Sequence, residues 1–253
     1  MGFKSKVLAA TAALTLTGGL TLAGASVTWG ATPSCGSGNH CVDIFSREFG
    51  THQNPLYVLD VFRQGAKVGQ PVILFRSSSA DPAEDFTYSF QGTVSDLYAG
   101  GLVSAATELH YGGSKYLIPT VPAAGPDEPA VELEYAPYGV DSGLCAGMAT
   151  TAHQGEGVTL QPCGTSAKTI WILDTFDQSF PAFNHGYIAV INGSNTNFSH
   201  PFVLHYPDNG FPTDKPRPQV NVTNLTGFSN GLGPIVGTLP DSQLWGADFG
   251  ILK

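Results

Sequence analysis

The chain has 253 residues, with eleven Lys and Arg against twenty Asp and Glu, a formal net charge of −9 and only 12% charged residues. So acidic a chain, its few basic residues scattered, lacks the electrostatic footprint for nucleic acid and is repelled by anionic membrane surfaces. Its 31 Gly, 18 Pro, 15 Phe and 9 Tyr describe many short strands joined by tight turns, and no segment of helical length carries a sustained apolar 3.6-residue period, so the expected class is all-β.

Met1 to Ala25 carries Lys4 and Lys6, then an uncharged stretch from Val7 to Leu22, then Ala23-Gly24-Ala25, a small-x-small pattern. That order is the signature of a secretory signal peptide. Cleavage is expected after Ala25; a cut after Ala31 would place Trp29 where a small residue is preferred. With no second apolar run of membrane length, the mature chain is expected to be secreted and extracellular. Residues 26–45 are read as an N-terminal segment and residues 46–253 as one domain.

Predicted strands follow in chain order: Tyr57–Phe62, Pro71–Arg76, Phe86–Phe90, Ala130–Tyr135, Leu144–Ala149, Val158–Gln161, Ile170–Asp174 and Tyr187–Ile191, then Phe202–Tyr206 and Gln219–Thr223. Two Pro-rich stretches, Pro119–Pro129 and Pro207–Pro218, read as inserted loops. Glu132 and Glu134 fall on one face of a predicted strand, where they suit the solvent side of an edge strand protected against further pairing.

Four cysteines in a secreted chain suggest two disulfides, for which three pairings are arithmetically open. Cys145 and Cys163 flank a Gly-punctuated hairpin, and a bridge there would stabilise the fold by roughly 3 kcal/mol on the chain-entropy model. Cys35 and Cys41 enclose a tight Gly-rich loop, and their pairing would pin the N-terminal end.

The hairpin also belongs to a repeat. Leu56–Val61, Gly69–Phe75 and Glu84-Asp85-Phe86 match Leu144–Met148, Gly155–Gln161 and Thr169-Ile170-Trp171: strand, turn, strand, polar loop, aromatic. A fainter third copy runs through Phe202–Tyr206 and Val220–Thr223 to Gln243-Leu244-Trp245. Three equivalent rings, Phe86, Trp171 and Trp245, would fill a core that no single copy can build, and core packing suits the two tryptophans better than ligand contact.

Gly143-Leu144-Cys145, the Gly-Val-Thr-Leu-Gln-Pro-Cys run ending at Cys163, and the final Gln243-Leu244-Trp245 resemble the ricin-type (ricin B-like) β-trefoil lectins. The resemblance implies a β-trefoil with long inserted loops. It also implies a sugar site in which an acid from the first strand of a lobe and an aromatic from the second grip vicinal hydroxyls and an apolar sugar face. On that pattern the first lobe offers Asp60 and Phe75, with Glu84 before the closing aromatic. The second lobe has Gly147 and Gln161 in the corresponding places, and the third has His205 with Asn221. Asp60 equally fits a strand acid bonded to nearby backbone.

No catalytic motif is present: no Gly-x-Ser-x-Gly, no His-Glu-x-x-His, no phosphate loop. The histidines (His40, His52, His110, His153, His185, His200, His205) lack ligand-like spacing except for His200 and His205, which flank a predicted strand without a carboxylate partner, so no metal and no cofactor are expected. The sequence therefore points to a non-catalytic, secreted carbohydrate-binding protein whose partner is a glycan or polysaccharide, with neither nucleic acid nor membrane as partner. Two other readings stay open: a trefoil that has lost its sugar sites and binds a secreted protein, such as a protease, through the inserted loops, and a secreted hydrolase.

Overall fold

The structure, a computed structural model, describes residues 42–47, 50–51, 54–55, 57–78, 81–113, 127–174, 187–207, 218–226 and 239–248. Cys35, Cys41, the N-terminal signal segment and the bulk of both Pro-rich connections lie outside the described residues.

Among the described residues, twelve strands build three lobes of four. The first lobe has β1 (Asp43–Ser46), β4 (Tyr57–Val61), β5 (Val72–Arg76) and β6 (Phe86–Thr93), with a small side hairpin of β2 (Gly50–Thr51) and β3 (Asn54–Pro55). The second has β7 (Pro129–Tyr135), β8 (Leu144–Gly147), β9 (Thr159–Pro162) and β10 (Ile170–Asp174). The third has β11 (Ala189–Asn192), β12 (Phe202–His205), β13 (Asn221–Asn224) and β14 (Trp245–Asp248). Six strands close a barrel. β1 pairs with β14, β6 with β7, β7 with β10 and β10 with β11, and bridges at Val42–Phe86 and Ile188–Trp245 complete the circuit. The other six form three hairpins, β4–β5, β8–β9 and β12–β13, that cap one end.

The cap shows the threefold directly. Val72 N–H donates to the Val158 carbonyl at 3.0 Å, Val158 N–H to Val220 at 2.8 Å, and Val220 N–H back to Val72 at 3.0 Å. A closed ring of three bonds between equivalent residues of three lobes is what a β-trefoil axis requires. The repeat read from the sequence is thus a spatial repeat.

Strand alternation explains the core. Leu59, Val61, Val72 and Leu74 turn inward from the first hairpin, and Phe86, Trp171 and Trp245, all at most 1% exposed, meet in the same apolar cluster. Trp171 Nε1 donates to the Ala146 carbonyl and Trp245 Nε1 to Leu204, both at 2.9 Å. Each indole therefore ties a barrel strand to its own lobe's cap hairpin, which buried N–H groups demand. The Cys145–Cys163 bridge forms, closing the second hairpin.

Three features depart from the sequence reading. The first strand lies at Asp43–Ser46, just ahead of the expected domain start. Two short helices, α1 (Val94–Ala99) and α2 (Ala105–Tyr111), sit in the β6–β7 connection. Under two turns long, they show no sustained period; a Thr93–Asp96 capping box and burial of Val94, Leu97 and Tyr111 hold them instead. Finally, β7 is a central strand, paired with β6, β8 and β10. Glu132 and Glu134 are accordingly not at a solvent-facing edge but 2% and 8% exposed.

Candidate functional site

The hairpin register fixes which residues are equivalent. Asp60 faces Ile73, Gly147 faces Thr159 and His205 faces Asn221 across their hairpins. Each of Asp60, Gly147 and His205 thus follows the inward residue of its strand (Leu59, Ala146, Leu204). In the first lobe, Val58, Asp60, Ile73 and Phe75 share the face turned away from the cluster of Phe86, Trp171 and Trp245, Val58 on it packing into a second buried apolar cluster, and Phe75, opposite Val58, is the diagonal neighbour of Asp60. Phe75 is half-buried; Asp60 is 2% and Glu84 4% exposed.

Glu84 reaches this group from a 3-10 turn, Pro82–Glu84, capped by Asp81, whose carboxylate accepts Ala83 N–H at 3.0 Å. The Asp60, Asp81 and Glu84 carboxylate oxygens lie within 4.8 Å of one another. Asp60 and Glu84 therefore come together as expected, and Asp81, the half-exposed member of the triad, is the residue that the sequence reading missed. Its signal was present: Asp followed by Pro-Ala-Glu is a turn-capping pattern. Of Asp60, Phe75 and Glu84, the two acids are covered and only Phe75 is half-buried.

Three carboxylates at this spacing either share a cation or keep a proton. Burial above all, reinforced by Asp43, Asp60 and Asp81, pushes Glu84 up to about 9 despite the lowering effect of the Ser78 N–H. At neutral pH Glu84 therefore holds a proton.

The equivalent turns explain Glu84 further. The turns Pro82–Glu84, Ala167–Thr169 and Asp241–Gln243 each end two residues before the lobe's core aromatic. Gln243 accepts Thr226 N–H at 3.1 Å and donates to the Asn224 carbonyl at 2.9 Å, clamping the end of β13. Glu84 accepts the equivalent Ser78 N–H at 2.8 and 3.0 Å. It is a clamp in the glutamine's place, and only its protonated form retains a donor.

The other lobes are closed or altered. A Cβ on Gly147 would stand 2.7 Å from the Lys168 carbonyl oxygen and 2.9 Å from Thr169 Cα, so the backbone leaves no room for an acid there. In the third lobe, His205 Nδ1 and Asn221 Oδ1 form a 2.8 Å hydrogen bond with both residues half-buried. The aromatic position is Thr223, which takes a hydrogen bond from Gln154.

The acids of β7 hold turns of the fold. Glu132 accepts hydrogen bonds from Gly164 N–H at 2.8 Å, Ser89 Oγ at 2.8 Å and the Thr169 hydroxyl. Glu134 accepts Gly143 N–H at 2.7 Å. Each carboxylate thus fixes a turn whose backbone N–H points inward.

No family model matches the chain, and no curated protein sequence matches it. Solved structures do. The designed threefold-symmetric protein ThreeFoil is 15% identical over 81% of this chain and 96% of its own, with a TM-score of 0.45. The Rhizoctonia solani agglutinin is 15% identical over 83% and 94%, at 0.41. The C-half of an earthworm R-type lectin in complex with GalNAc is 11% identical over 82% and 96%, at 0.35. At such identities and TM-scores, the trefoil is defined by this chain's own strand pairing and hydrogen-bond ring.

Proposed function

We propose that this is a secreted, non-catalytic carbohydrate-binding protein of the lectin kind, with one working site, on the first lobe. The observation that carries the proposal is the threefold register. Of the three equivalent positions Asp60, Gly147 and His205, only the first is an acid, and only it has an aromatic, Phe75, diagonally adjacent on the same outward face. Phe75 supplies a ring for the apolar face of a sugar, and Asp81, the half-exposed member of the triad, supplies a hydrogen-bond acceptor for its hydroxyls, with Asp60 buried behind it. Within the triad, Asp81 meets solvent and Glu84 holds the turn that carries it. Export rests on the Met1–Ala25 signal pattern.

The test is a glycan array probed with the wild-type chain, Asp60→Ala, Phe75→Ala and Asp81→Ala. The reading requires wild-type binding to a defined glycan set and its loss in Phe75→Ala and Asp60→Ala, with both variants folded by circular dichroism. Binding untouched by either substitution, or no binding at all, would sink it.

A further inference from the structure

The barrel contains a second feature that sugar binding does not use. Below the layer of Phe86, Trp171 and Trp245, two residues further along each strand, the inward positions are Tyr88, Leu173 and Ala247. Equivalence would favour three large side chains there, and the third lobe supplies a methyl group. A cavity of about 230 Å³ results, walled by the barrel strands, with Trp245 and Leu204, each 1% exposed, among its buried lining. Its lining grades from those residues to half-buried Tyr88, Leu173, Ile188 and Ala247, so it has an entrance. Among the described residues, no charged side chain lines it.

We infer that this cavity binds a compact, uncharged, hydrocarbon-like molecule of about ten carbon atoms. The size follows from the volume: larger than the roughly 150 Å³ apolar cavity that takes benzene, and below the roughly 300–1,000 Å³ of drug-sized sites. The class follows from the walls, since an apolar void stays dry and gains contacts only from an apolar guest. The site lies inside the barrel, away from the outward face of the first hairpin, and does not depend on the lectin reading.

The probe is naphthalene, added to the full secreted chain and followed by methyl NMR, with naphthalene-2-sulfonate as a charged control of similar shape. Saturable shifts are expected at the methyls of Ile44, Leu133, Leu173 and Ile188, at least tenfold weaker binding of the sulfonate, and no shifts at Leu59 or Val72 near the cap. Ala247→Leu, which copies the residue that the second lobe already carries at Leu173, fills the space; it should fold with an unchanged or higher Tm and lose naphthalene binding at least tenfold. Absence of saturable shifts in the wild type overturns the inference, as does undiminished binding in a folded Ala247→Leu chain. Should that variant not fold, the wild-type shift map and the sulfonate control decide the matter alone.

Discussion

Replacing Glu84 by glutamine puts the buried acid triad to a quantitative test. Glu84 is 4% exposed and its pKa is pushed from 4.5 to about 9. An acid whose folded-state pKa lies above its unfolded value leaves the folded chain holding an extra proton, so stability is lost as pH climbs from about 4.5 towards 9. The slope reaches at most ~1.4 kcal/mol per pH unit. Glu84→Gln keeps the size, the acceptor for Ser78 N–H and a donor at every pH, as Gln243 does in the third lobe. Wild type and variant should therefore have similar stability near pH 5. Above it the variant should pull ahead, with a gap widening by up to ~1.4 kcal/mol per unit, or about 2–4 °C of Tm for each kcal/mol in a chain of this size. Thermal unfolding at whole pH units from 5 to 9 reads this directly. A gap that does not change with pH, or one in which the wild type gains on the variant as pH rises, would refute the argument. So would a divalent cation in the triad, which would reveal itself as chelator-sensitive stability in the wild type.

Three further substitutions probe other parts of the fold. Gly147→Ala pushes a methyl group against the Lys168 carbonyl and should cost about 1–3 kcal/mol in urea unfolding; Gly147→Asp should be worse still and should create no second sugar site. Glu132→Ala removes the acceptor of one buried donor, the Thr169 hydroxyl, and of two exposed ones, Gly164 N–H and Ser89 Oγ, and should cost about 1–3 kcal/mol, against ~1 kcal/mol for Glu134→Ala with its single bond. Trp245→Phe should fold, because Phe86 serves at the equivalent place, but should lose about 1–3 kcal/mol with the Leu204 carbonyl left unpaired; a neutral result would remove the indole tie from the account.

What the sequence disclosed and what it hid follow physical lines. The Cys145–Cys163 hairpin was legible because a glycine turn and two cysteines mark it within a few residues, and the third lobe's equivalence was legible from Gln243-Leu244-Trp245. Alternation placed Asp60 and Phe75 on one outward face. Burial was not legible: Glu132 and Glu134 look like surface acids until β7 acquires neighbours on both sides, which is a matter of long-range pairing. The same holds for Asp60 and Glu84, covered by a turn whose approach no local pattern specifies. Gly147 reads as a missing acid, whereas the structure shows that no side chain fits. The helices α1 and α2 carried only their caps as a signal, too brief for a period to emerge.

The most direct measurement takes a glycan found on the array and counts its sites by titration calorimetry on the wild-type chain, Phe75→Ala and His205→Ala. One site per chain, gone in Phe75→Ala and intact in His205→Ala, is the predicted result. Two or three sites per chain, or a site that survives Phe75→Ala, would contradict the claim that a threefold fold here keeps a single lobe at work.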